Sequence, residues 1–163
     1  MTESRWLDER EHAAWRAYVA LQTRLTARLG RELKRESELS VPDYAVLFEL
    51  SEARDGKLRI GELSDRVEWD KGRLSKQLTR MERRGLIVRE PCDTDGRGFF
   101  AVLTAAGRSA IEASAPLHVG HVRQWFVDLL TPEQMETIVA ISNTVVAKLD
   151  SDQSLCPAMP DDA

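Results

Sequence analysis

Apolar residues recur at steps of three and four along the first part of the chain: Trp15, Tyr18, Leu21, Leu25, Leu29 and Leu33, with arginines and glutamates between them. That rhythm lays one apolar stripe along a helix and predicts a single long helix from about Leu7 to Arg35. The run Glu36-Ser37-Glu38-Leu39-Ser40 breaks it. Ser40-Val41-Pro42-Asp43 then carries the start signals of a second helix: a capping serine, a proline in the first turn and an acid near the positive helix end. Tyr44, Val46, Leu47, Phe48 and Leu50 continue it. Asp55-Gly56 reads as a turn, and Lys57 to Arg59 is too short for more than an edge strand. Ile60 to Val67 predicts a short helix with Leu63 and Val67 on its apolar side.

After a turn at Glu68-Trp69-Asp70, a further helix is expected over about Lys71 to Arg84, with Leu74, Leu78 and Met81 inward and Gly85 as a left-handed C-terminal cap. The period then switches to two. Leu86–Glu90 and Phe99–Leu103 are strand-like, and the turn-dense run from Pro91 to Gly98 between them predicts a hairpin with a long tip. Thr104 caps a helix from about Ala105 to Ala113 or beyond, where Pro116 introduces a kink and the apolar pattern continues to Leu129. Thr131-Pro132-Glu133 starts a last helix, ending near Leu149. The expected fold is mainly α with a small β-hairpin wing: a winged helix-turn-helix over residues 37–104, flanked by dimerisation helices over 1–36 and 105–150. The small, polar residues after Asp150 predict a disordered tail over 151–163.

Composition narrows the function. At 163 residues with 42% hydrophobic and 31% charged, the chain has the balance of a soluble globular domain. The longest stretch without a charge, Thr137 to Ala147, falls short of the roughly 18 residues of a membrane span, so no membrane partner is expected. Glu3, Arg5, Asp8, Glu9, Arg10 and Glu11 stand where a signal peptide needs apolar residues, and Cys92 and Cys156 alone make no disulfide scaffold. A cytoplasmic setting is the expectation. We find no nucleophile–base pair, phosphate loop, metal triad or paired carboxylates in a defined context, so neither an enzyme nor a cofactor is expected.

The net charge of −4 argues against a nucleic-acid binder until its distribution is considered. From Lys71 to Arg89 seven cations face Glu82 alone, which makes that segment +6 and leaves −10 for the rest. A basic stripe on an acidic body draws phosphate locally. With Leu74, Leu78 and Met81 inward, the outer face of the Lys71–Arg84 helix presents Arg73, Lys76, Gln77 and Arg80, with Ser75 and Thr79 on its flank. Arginine forks onto guanine, glutamine onto adenine, and lysine and serine reach phosphate. Lys71 shares the N-terminal end, the part of a recognition helix that enters the major groove. Arg83 and Arg84 read as phosphate contacts or as helix-dipole partners. On the hairpin tip, Arg97 can enter a neighbouring minor groove, with Asp95 steadying its guanidinium. The competing class is a winged-helix module whose basic helix meets an acidic protein.

Several stretches, in order and spacing, resemble the MarR family of bacterial transcriptional regulators. They are Asp43-Tyr44-Ala45-Val46-Leu47, Ile60-Gly61-Glu62-Leu63, the block from Arg73 to Leu86, Asp95-Gly96-Arg97 and Leu103-Thr104-Ala105-Ala106-Gly107. The resemblance covers about Leu7 to Leu149. It implies a homodimer built from the first and last helices and a repressor on a pseudo-palindromic double-stranded DNA operator. The helix holding Arg73 would lie in the major groove and the wing residue Arg97 in the minor groove. It also implies release by a small aromatic or phenolic effector, for which Trp15, Tyr18, Tyr44 and His118 are candidates. Oxidant-sensing members carry a cysteine near the N-terminus, where this chain has none; Cys92, at the base of the wing, reads as structural. His118 and His121 have a metal-compatible spacing but no third ligand visible in the sequence, so they read as solvent-facing or interface residues.

Overall fold

The computed structural model describes residues 5–92 and 98–153. The chain forms two compact units, Met1–Val122 and Arg123–Ala163. In the first, α1 (Glu9–Ser37) and α2 (Val41–Glu52) lead through a 3-10 turn (Arg54–Gly56) to β1 (Lys57–Arg59). There follow α3 (Ile60–Val67), α4 (Lys71–Arg83), β2 (Ile87–Pro91) and β3 (Phe99–Leu103). Helix α5 (Ala105–Trp125) crosses into the second unit, which adds a 3-10 turn (Val127–Leu129) and α6 (Pro132–Gln153).

The starts of α1, α2 and α4 have local causes. Asp8 accepts the backbone N–H groups of Arg10 and Glu11, and Glu11 returns a bond to the Asp8 N–H. Ser40 and Asp43 make the same reciprocal box at α2. Asp70 caps α4 through the Arg73 N–H at 2.9 Å. At the far end of α4, Gly85 lies at φ +71°, its N–H bonded to the Glu82 carbonyl and that of Leu86 to the Met81 carbonyl. This is a Schellman closure, which a residue with a Cβ resists.

The three strands pair antiparallel in the order β1-β3-β2, with Leu58 opposite Ala101 and Arg89 opposite Ala101 across the other ladder. Strand β1 is an edge strand, as its length predicts. The core lies where this sheet meets α2, α3 and α4: Val46, Leu47, Leu50, Leu63, Leu74, Leu78, Met81 and Ile87 have no exposed surface. Ile111 of α5 and Leu33 of α1 join it.

Three boundaries differ from the sequence expectation. Helix α5 runs through Pro116 without a break and stops at Trp125, short of Leu129. Helix α6 continues past Leu149 to Gln153, and the rest of the expected tail, 154–163, lies outside the described residues. The stripe on α1 is largely uncovered in the protomer: Trp15, Tyr18 and Leu21 are about half exposed, whereas Leu33 is buried. On α6, Val139, Ile141, Val145, Val146 and Leu149 are likewise exposed. Exposed apolar area on this scale is characteristic of interaction surfaces.

Helix α5 starts against the turn that ends α4. The Thr104 hydroxyl donates to the Gly85 carbonyl at 2.7 Å and accepts the Gly107 N–H at 2.9 Å. This brings Gly107 so close that a Cβ there would stand 2.0 Å from the Leu86 carbonyl oxygen, whereas a Cβ on Gly61 meets nothing within 4 Å. Gly107→Ala is expected to destabilise the fold by about 3 kcal/mol. Gly61→Ala is expected to be neutral or to stabilise it by up to about 1 kcal/mol. Urea unfolding at one fixed protein concentration separates the two.

Candidate nucleic-acid interface

Helix α4 presents Lys71, Arg73, Ser75, Lys76, Arg80 and Arg83 to solvent. Its positive end carries the first four of these, so helix dipole and side-chain charge add at the same place. Arg73 does not swing loosely: its guanidinium carbon lies 4.4 Å from the centre of the half-buried Trp69 ring. Trp69 is itself pinned, its N–H bonded to the Ser64 carbonyl and its carbonyl accepting the Ser64 hydroxyl. A stacked arginine keeps its planar fork of donors available while losing little further freedom on binding. Glu82, the one acid of α4, turns to Arg89, 3.3 Å away.

The structure corrects the expectation for Gln77. Its side chain is 2% exposed, because α2 packs over that edge of α4. The Gln77 amide nitrogen donates to Asp43 Oδ1 at 2.7 Å and its oxygen accepts from Arg80. Both ends are spent inside the protein, which leaves nothing for an adenine. Arg84 stays exposed, and its guanidinium pairs with Asp43 Oδ2 at 2.7 Å and donates to the Glu38 carbonyl, tying α4 to the start of α2. Thr79 is half-buried, its hydroxyl donating to the Ser75 carbonyl and accepting from Arg89. Asp95 and Arg97 lie outside the described residues.

Asp43 is the residue the sequence reading missed as a centre. Its carboxylate is 3% exposed and accepts from the Ser40 N–H, the Ser40 hydroxyl, Gln77 and Arg84. Burial alone would raise its pKa; the Ser40 N–H, the Arg84 guanidinium and the Ser40 hydroxyl outweigh burial and hold it below the ordinary aspartate value. The Ser-x-x-Asp spacing signalled the helix cap, but nothing local signalled partners 34 and 41 residues on.

The effector candidates fall into two pairs. Tyr44 and His118 meet with ring centres 4.5 Å apart and planes tilted by 43°, and Phe48 stacks on Tyr44. Burial lowers the His118 pKa, helped by neighbouring His121, and burial raises that of Tyr44. Trp15 and Tyr18 pair with each other, 5.8 Å apart. Tyr18 lies about 22 Å along α1 from Leu33, at the helical rise per residue. Leu33 and His118 line one narrow cleft with no room for a water molecule. One protomer therefore does not gather all four residues into one wall.

His121 does have acidic neighbours, from a turn of α1 that sequence distance concealed. Ligand atoms of Glu32, Glu36 and His121 lie within 4.8 Å of one another. The carboxylates are already engaged: Glu32 with Arg28 and Arg35, Glu36 with Arg35 and His121 Nε2. The cluster reads as an ion-pair ladder joining α1 to α5, with the charge a cation would meet already neutralised. Cys92 is buried, its N–H bonded to the Gly98 carbonyl; Cys156 lies outside the described residues.

Residues 37–98, the span from α2 through the wing, match the family model for the MarR family. Transcriptional regulator HosA of Escherichia coli O157:H7 is 33% identical over 116 residues, covering 71% of this chain and 82% of HosA. The chain belongs to the MarR family. Two Streptomyces coelicolor members of this family of transcriptional regulators superpose over nearly their full length. AbsC does so with a TM-score of 0.86 and 37% identity, covering 91% of this chain and 99% of AbsC. A second, solved in complex with DNA, has a TM-score of 0.85 and 34% identity over 98% of this chain and 97% of its own. Among the described residues of this MarR-family protein, no helix is long and apolar enough to cross a membrane.

The Asp43 network carries a pH signature. Its folded-state pKa lies below its unfolded value of about 3.9, so the stability it contributes is complete above that value and is lost as pH falls through the folded one. The unfolding midpoints of the parent and Asp43→Asn are expected to differ most above about pH 5 and to converge progressively below about pH 4. Urea titrations across that range check it.

Proposed function

We propose that this MarR-family protein is a repressor that binds a pseudo-palindromic operator as a homodimer and is released by a small aromatic or phenolic effector. The observation that carries the DNA reading is the outer edge of α4. Arg73, Lys76 and Arg80 stand exposed there, while the one acid of the helix is turned aside to Arg89. The relative solved with DNA supports the same reading.

In this reading residues 37–104 read the duplex. Lys71, Ser75 and Lys76 contact phosphate, Arg73 and Arg80 reach base edges or the flanking backbone, and Arg97 with Asp95 serves the minor groove. Gln77 supports these residues from inside, and Arg84 braces the end of α4 against Asp43. The uncovered apolar faces of α1 and α6 supply the dimer contact, which assigns residues 1–36 and 105–150 to assembly. Two copies then set two α4 helices on successive major-groove turns, about 34 Å apart. The Tyr44–His118 pair, between α2 and α5, is the stronger half of the effector proposal: a ligand that parts these rings would shift α2, and with it α4.

Fluorescence anisotropy on duplex DNA tests the proposal. With about three phosphates per subunit, affinity is expected to fall with a log–log salt slope near −5. Lys76→Ala should weaken all sequences alike and flatten the slope by about 2 per dimer. Arg73→Ala should cost about tenfold and relax preference at one half-site position. A flat salt response would sink the DNA reading and favour an acidic protein partner.

A further inference from the structure

We infer that Asp43 is a positioning residue for DNA recognition, acting through Gln77 to hold the Arg80 guanidinium toward the duplex; the inference rests on the DNA reading above. A carboxylate can only accept hydrogen bonds. Asp43 Oδ1, buried and facing Gln77 at 2.7 Å, therefore dictates which end of the amide points at it: the NH2 group. The amide oxygen is left at the opposite end, and it is this oxygen that receives Arg80. Gln77 is a polarity relay. If it turned over, it would aim two N–H donors at a guanidinium that has only donors, and the contact would be lost.

The remaining bonds make the relay firm. Asp43 cannot rotate away, because Oδ2 is held at 2.8 Å by both the Ser40 N–H and the Ser40 hydroxyl and at 2.7 Å by Arg84. Gln77 cannot leave, because it is 2% exposed beneath α2. Arg80 is the exposed terminus of this chain of bonds. Two consecutive polar contacts thus run from the first turn of α2 to the solvent edge of α4, and each is charge-assisted at one end. An arginine held this way meets its base or phosphate with less freedom to lose than one on an open surface. The same geometry gives α2 a direct hold on one DNA-facing group.

The test is a variant cycle on the operator enriched from random duplex, read by dissociation constant and by base preference at each position. Arg80→Ala and Asp43→Asn are each expected to weaken binding about tenfold, both relaxing the same operator position. In the Arg80→Ala background Asp43→Asn should cost less than twofold more, because the relay has nothing left to hold. The decisive arm exchanges the two chemistries. In Asp43→Asn/Gln77→Glu the amide sits on α2 and the carboxylate on α4. The carboxylate again offers an acceptor to Arg80, and affinity and base preference should return to within about threefold of the parent. A general loss of fold would not be repaired by this exchange, and thermal melts with saturating operator confirm that each variant is folded.

Equal losses from Asp43→Asn with and without Arg80, or failure of the exchanged pair to recover, would overturn the relay. If Arg73→Ala weakens binding but Arg80→Ala does not, the relay falls while the DNA reading stands. If the parent itself binds no duplex, both fall.

Discussion

A carboxylate taken almost wholly out of water must be given donors, and the structure around α4 is arranged to supply them to Asp43. Its partners come from three places in the chain: Ser40 at the start of α2, Gln77 in the middle of α4 and Arg84 at its end. Removing any one leaves part of a buried charge without compensation, a cost of several kcal/mol. Apolar contacts between α2 and α4 could be satisfied at several rotations of α4. The Asp43 bonds are directional, and they admit one.

That constraint decides which cations of the basic stripe are available. Between Lys71 and Arg89 the chain carries seven, and the fold divides them. Arg84 and Arg89 are paired within the protein, the first to Asp43 and the second to Glu82, Ser75 and Thr79. Arg84 nevertheless stays exposed, as do Lys71, Arg73, Lys76, Arg80 and Arg83. The two paired arginines tie α4 to α2 and to β2. A net charge of −4 is no obstacle to such a surface, because attraction to phosphate acts over about a Debye length, and within that range the cations dominate.

What was legible in the sequence follows from how local the causes are. Helix α3 was read residue for residue, and the caps at Ser40 and Gly85 were plain, because each depends on neighbours within four positions. The core positions Leu74, Leu78 and Met81 gave the inward side of α4 correctly. Gln77 was misplaced because it sits at the edge of that arc, where helical phase alone does not say whether another helix arrives. Pro116 was read as a kink, and α5 runs through it. The closure of Glu32 and Glu36 onto His121, and of Tyr44 onto His118, depends on α1 and α2 meeting α5 across more than seventy residues of chain. No periodicity carries that information.

If the exposed edge of α4, doubled in a dimer, reads a particular DNA sequence, selection of random duplex DNA by the purified protein, followed by sequencing of what is retained, will reveal it. The expected result is enrichment of an inverted repeat with half-sites about ten base pairs apart, centre to centre. Retention of DNA without any enriched sequence, or no retention at low salt, would contradict it.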